Sequence, residues 1–196
     1  MRSTILINKP EIYSGKIFYY KGLLDSPEFL VRLIEKTNIK HSDKEMISQW
    51  RIWQSSDKVS NFGFTKSIDP SKFDTSSDDI RFVYGSLISA IRLAANNYSL
   101  HNNLDLGRQS PLSISKYSET KFMGPHTDEK TGAHISGVLY LNDDYSGGEL
   151  GFPNQGFSIK PEAGSMVIFP STDPYVHDPK PAYGAERYIC PVFWYK

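Results

Sequence analysis

A chain of 196 residues is long enough to bury one sizeable core and short for two. Its 39% hydrophobic and 22% charged residues are those of a soluble globular protein, and a 13% aromatic share suits a β-rich core or a ligand cavity. Lys+Arg and Asp+Glu both total 22, so a formal net charge of zero argues against non-specific binding to nucleic acid or to an anionic membrane, and a single cysteine excludes an intrachain disulfide.

The opening MRSTILINKPEIYSGK lacks the apolar run of a signal peptide, and no stretch approaches membrane-spanning length. A cytoplasmic protein, monomer or homodimer, is expected. STILIN and KIFYY read as short strands. DSPEFLVRLIEKTN reads as a helix with Asp25 or Ser26 as cap, Pro27 in the first turn, and Phe29, Leu30, Leu33 and Ile34 at helical spacing. The following aromatic but aperiodic stretch, with Trp50, Trp53, Phe62 and Phe64, reads as strand and loop that packs the core or lines a site's mouth. TSSDDIRFVYGSLISAIRLAANNYSL predicts a second helix, capped by Ser76 or Ser77, with a stripe of Ile80, Val83, Leu87, Ile91 and Ala94.

From about residue 110 the period changes. LSISKY, AHISGVLYLN, GELGF, FSIKP, SMVIF and RYICPVFWY are short strands, separated by the turn clusters NDDYSGG, PNQG, PEAG and PAYG. The whole reads as one α+β domain over 1–196. Residues 1–110 give helical support and a substrate side, and 111–196 give a β-sandwich of jelly-roll, or double-stranded β-helix, type.

Chemistry concentrates in HTDEKTGAH, residues 126–134. His126 and Asp128, separated by one residue after the bend at Gly124-Pro125, can converge on a metal. A His-x-Asp pair alone is weak, and a solvated polar loop explains it as well. Two histidines are candidates for a third ligand. His134 is near, but Thr131-Gly132 carries the chain away into a strand where His134, Ser136, Val138 and Tyr140 share one face. His177 is far in sequence, yet strands of a sandwich bring distant residues to one open end.

Two histidines and one carboxylate form a facial triad that leaves about three of six octahedral positions open, which suits non-haem Fe(II). The site then carries one net positive charge and welcomes an anionic chelate. A second carboxylate on such a ligand needs a cation, and Arg187 opens the last strand ten residues after His177 (187 − 177 = 10). The plainer alternative for Arg187 is a surface ion pair with its neighbour Glu186. Glu129, Asp144 and Glu149 read as surface carboxylates, and Cys190 as a small buried hydrophobe. His134 reads as a core histidine rather than a ligand-binding group.

His126-Thr127-Asp128, VLYLNDDYSGGELGF, KPEAGSMVIFP, His177 and Arg187-Tyr188, taken in order, resemble the core of the Fe(II)/2-oxoglutarate-dependent oxygenases, in the prolyl 4-hydroxylase-like branch. The resemblance covers about residues 110–196. It implies that His126, Asp128 and His177 ligate Fe(II). It implies that Arg187 pairs with the distal carboxylate of 2-oxoglutarate and that Tyr140 and Tyr117 line the same pocket. Ile189 stands where relatives outside this branch carry a serine. The implied reaction is hydroxylation of an amino-acid residue, prolyl in a peptide or protein first, with O2 consumed and succinate and CO2 released; ascorbate is an expected stimulant. The alternatives are hydroxylation of a free amino acid or other small molecule, and a non-catalytic, metal-stabilised binding module. A nucleic-acid substrate is disfavoured by the charge balance.

Overall fold

The computed structural model describes residues 9–36, 39–40, 46–47, 51–53, 65–68 and 78–196. The elements are β1 (Glu11–Tyr13), β2 (Ile17–Tyr20), α1 (Pro27–Lys36), β3 (Ile39–Lys40), β4 (Met46–Ile47), β5 (Arg51–Trp53), β6 (Thr65–Ile68), α2 (Asp78–Asn102), β7 (Arg108–Gln109) and β8 (Ile114–Tyr117). They continue with β9 (Ile135–Tyr140), β10 (Ser146–Gly147), β11 (Leu150–Phe152), β12 (Phe157–Ile159), β13 (Met166–Pro170), β14 (Asp178–Pro179), β15 (Ala182–Tyr183) and β16 (Arg187–Tyr195). Among the described residues, STILIN, Trp50, Phe62, Phe64, the caps Ser76 and Ser77 and the side chains of Trp53 and Ile80 are not included, so the readings placed on them stand outside the structure.

The strands build an α+β jelly roll. The main antiparallel sheet runs β1-β2-β13-β9-β16-β8-β6-β5, with β7 added on β16. A smaller sheet, β12-β11-β14, lies across from it, and β10 pairs with β15. The period of two sorts the main sheet's side chains into two sets. Phe18, Tyr20, Leu139, Met166, Ile168, Tyr188, Cys190, Val192 and Trp194 pack with the two helices. Ile17, Tyr19, Tyr140, Val167, Phe169 and Ile189 meet Leu150, Phe152 and Ile159 of the smaller sheet. Alternation survives Pro191, so Trp194 falls on the helix side, while Ile189, Pro191 and Phe193 face the interior with Arg187. Cys190 is fully buried and its thiol is pushed up to about 12 by burial, as a small hydrophobe should be.

The helices form where the spacing placed them. In α2, Asp78 and Asp79 occupy the first turn, where they complement the helix dipole, and Val83, Leu87, Ile91 and Ala94 are buried in one stripe. Val83, Leu87 and Ile91 each contribute roughly 1.5–3 kcal/mol by leaving water. In α1, the Ser26 carbonyl accepts the N–H groups of Phe29 and Leu30, and Pro27, Leu30, Leu33 and Ile34 are buried. Phe29 departs from the reading: it is 42% exposed and packs edge-on against the exposed Phe82 of α2, at 6.1 Å between ring centroids. It sits one position off the stripe that meets the sheet.

A polar cluster around the buried Lys116 pins α1 to the sheet. Lys116 on the helix-facing side of β8 pairs with Glu35 at 2.9 Å and Glu186 at 3.2 Å, and the Tyr188 hydroxyl lies 2.9 Å and 3.0 Å from the same two carboxylates, with one proton to give to either.

Candidate metal and cosubstrate site

The interior between the two sheets holds a cavity of about 320 Å³ whose wall includes Tyr117, His126, Asp128, Tyr140, His177 and Arg187. Backbone pairing brings the distant parts together. His126 and His177 form an antiparallel bridge, each N–H donating to the other's carbonyl at 2.9 Å. The Asp128 N–H donates to the Ser171 carbonyl at 2.9 Å, which anchors the bend to the end of β13. The chain then makes a single 3-10 turn over Glu129–Thr131 and leaves through Gly132, whose φ of +79° few side chains tolerate. Glu129 on that turn is exposed, as is Asp144, while Glu149 is half-buried.

One donor atom from each of His126, Asp128 and His177 lies within 4.8 Å of the others. His126 Nε2 is 3.7 Å from Asp128 Oδ1, and His177 Nε2 is 3.6 Å from Asp128 Oδ2. These gaps are too long for hydrogen bonds. They fit three donors gathered on one ion, since atoms held about 2.1 Å from a common centre stand about 3–4 Å apart. Outer partners aim the donors. His126 Nδ1 meets the Gly124 carbonyl at 2.7 Å, which turns Nε2 inward, and Ser136 Oγ donates to Asp128 Oδ2 at 2.6 Å. His177 is 4% exposed and stacks near Phe169, and burial pushes its imidazole well below the usual range against the pull of Asp128. A neutral imidazole is the form that ligates a metal. The donor set therefore fits a divalent ion such as Fe(II).

Arg187 lies deeper, 2% exposed. Its register partner is Tyr117, and its guanidinium sits 4.7 Å from the Tyr117 ring centroid. Nη1 donates to the Lys180 carbonyl at 2.9 Å, and Nε is buried without a partner among the described residues. No carboxylate pairs with Arg187 among the described residues; Glu186 is engaged by Lys116 and Tyr188 instead. A buried cation lacking a counter-charge is costly, so it suits an anion arriving from outside. Burial raises the Tyr140 and Tyr117 hydroxyls above their usual range while Arg187 pulls the other way, so both remain protonated as possible hydrogen-bond donors. Ile189 gives the same wall an apolar patch.

His134 stands apart. It is not on the cavity wall; its backbone N–H donates to the Trp194 carbonyl, and both ring nitrogens are buried without partners among the described residues. Alternation puts it on the inward face, but at the strand's end the face has run past the cavity. The residues not singled out in the sequence are Ser136 and Ser171 behind Asp128, and Met123, Thr131, Pro191 and Phe193 on the wall. Counting by twos from Arg187 reaches Pro191 and Phe193. Nothing in the sequence signals Ser171.

A jelly roll with a two-histidine, one-carboxylate cluster at its open interior, and a lone buried arginine behind it, defines a metal-dependent oxygenase. The model of the 2OG-Fe(II) oxygenase superfamily matches residues 112–196, the segment that carries His126, Asp128, His177 and Arg187. Solved structures share the fold. A prolyl hydroxylase from Trichoplax adhaerens, in complex with a hypoxia inducible factor oxygen degradation domain peptide fragment, is 16% identical with a TM-score of 0.64, over 93% of this chain and 84% of that one. The viral collagen prolyl hydroxylase of Paramecium Bursaria Chlorella virus-1, in its 2OG complex, is 17% identical with a TM-score of 0.61, over 92% and 96%. A Pseudomonas putida prolyl-4-hydroxylase is 23% identical with a TM-score of 0.55, over 75% and 78%. A comparison with curated proteins gives no match. No helix among the described residues is long and apolar enough to cross a membrane.

Proposed function

We propose that the chain hydroxylates an amino-acid residue of a peptide or protein, with proline the first candidate, and releases succinate and CO2. The observation that carries this reading is the convergence of His126, Asp128 and His177 at the mouth of a cavity whose depth holds the uncompensated Arg187. Bound Fe(II) with 2-oxoglutarate supplies the oxidising chemistry. The chain's own residues supply place and orientation. His126, Asp128 and His177 would hold the metal, and Arg187 would take the distal carboxylate in a two-pronged grip, with Tyr140 and Tyr117 donating beside it. Val138, Leu150, Ile189, Pro191 and Phe193 keep the chamber apolar and limit water around the reacting groups.

The wall also favours a residue within a chain over a free amino acid. Among the described residues lining the cavity, Arg187 is the sole Lys or Arg and Asp128 the sole carboxylate. With both engaged, a zwitterion finds no charged partners, whereas a peptidyl side chain needs none. The test is mass spectrometry of peptide and free amino-acid libraries with Fe(II), 2-oxoglutarate and ascorbate. A one-oxygen gain on a peptide, matched by succinate, is expected. Oxygen gain only on free amino acids would overturn the substrate assignment, and no 2-oxoglutarate binding or succinate under any condition would overturn the oxygenase reading of the site.

A further inference from the structure

Asp128 does not stand alone behind the metal site. Ser136 Oγ donates to Asp128 Oδ2 at 2.6 Å, and the Ser171 hydroxyl lies 2.8 Å from Ser136 Oγ. Both serines are fully buried. A carboxylate only accepts, so the single Ser136 proton goes to Asp128, and Ser171 must be the donor to Ser136. Ser171 is itself braced: its carbonyl accepts the Asp128 N–H at 2.9 Å, and its N–H donates to the His134 carbonyl at 3.1 Å. The chain of donors ends on Oδ2. Oδ1 lies 3.7 Å from His126 Nε2 and Oδ2 lies 3.6 Å from His177 Nε2, but only Oδ2 accepts a hydrogen bond; no donor reaches Oδ1 among the described residues.

We infer that Ser136 and Ser171 form a hydroxyl relay that occupies Asp128 Oδ2 and presents Oδ1 as the one carboxylate oxygen for the metal. Ser136 and Ser171 are positioning residues: they act through Asp128. A carboxylate gripping with both oxygens would fill a further position, whereas a chelating cosubstrate and O2 together need about three open ones. The inference rests on the metal-site reading above, and it assigns to two plain serines the choice between one- and two-oxygen ligation.

Mn(II) alone is the probe, titrated by calorimetry into the full chain and its variants. Ser136→Ala should weaken Mn(II) binding by about 10- to 100-fold, the range for lost outer partners of a metal ligand. Ser171→Ala should weaken it less, because Ser136 keeps its own proton on Asp128. Ser136→Thr, which retains the hydroxyl, should bind close to the parent. The melting temperature of the metal-free protein should barely move in any of them, which separates positioning from folding. Bound water, counted by 17O broadening of the Mn(II) resonance, should be about three in the parent and fewer in Ser136→Ala. Binding of Ser136→Ala within twofold of the parent, or no recovery with threonine, overturns the relay. An unchanged water count overturns the one-oxygen assignment. A parent that binds no Mn(II) removes the relay and the metal site together, whereas a parent that binds it with indifferent variants removes the relay only.

Discussion

His177 and His134 look alike in the sequence and differ in what surrounds them. His177 is tied by its backbone to His126, and its Nε2 faces Asp128 at 3.6 Å. His134 has no hydrogen-bond partner at either ring nitrogen among the described residues. His177→Ala should therefore abolish measurable divalent-metal binding, and His134→Ala should leave it within about twofold, both read by calorimetry; with one donor gone, only two of the three ligands of a facial set remain. Arg187 makes a separate prediction. Arg187→Ala should raise the 2-oxoglutarate concentration needed for half-saturation by about 10- to 100-fold, the worth of hydrogen bonds to a charged group, while metal affinity stays put. Arg187→Lys should fall between, because an ammonium keeps the charge and loses the planar fork. Equal losses of metal and cosubstrate binding would show that Arg187 supports the fold instead.

At the scale of elements, one helix contains its own control. Leu87 in α2 is fully buried against the main sheet, and Leu100 in the same helix is 82% exposed. Leu87→Ala should cost about 2–5 kcal/mol of stability in urea unfolding, and Leu100→Ala should stay within about 0.5 kcal/mol. The helices and C-terminal strands were legible because each element writes its own period: 3.6 in α2, 2 in RYICPVFWY. What was not legible depends on a second element. Phe29 has the right residue type for the core, yet only the placement of α2 shows that it meets Phe82 at the surface. Lys116 sits in a strand between Ser115 and Tyr117, and its burial makes sense only beside Glu186 and Glu35, the latter contributed by α1. The same holds for the site. His126 and Asp128 announce themselves by adjacency in the chain. His177 could be chosen over His134 only through the order of several family motifs. Ser136 could be assigned a face but not a task, because its partner Ser171 comes from the bend that follows β13.

At the scale of the whole molecule, metal and fold are linked. An ion that binds only the folded chain stabilises it by about 2.7 kcal/mol at a free concentration one hundred times its dissociation constant. Saturating Mn(II) should raise the melting temperature of the parent, and should not raise that of His177→Ala. Acid should act in the opposite sense on the metal-free protein. Burial holds the folded His177 imidazole below its usual range, so the unfolded chain binds that proton first, near about pH 6.5. This contribution to stability is present above that pH and is lost as the pH falls toward the folded value. The metal-free parent should therefore melt at lower temperature at about pH 5.5 than at about pH 7.5, with a shallower slope in His177→Ala. Equal slopes would show that other groups govern acid stability.

The reciprocal main-chain bridge between residues 126 and 177 has a longer reach than the present chemistry. Main-chain bonds do not depend on which side chains they carry, so the frame outlasts its contents. A descendant that had exchanged either imidazole would still close the same corner and still superimpose on working relatives. The side chains of His126, Asp128 and His177, rather than the outline of the fold, are therefore where reactivity has to be tested.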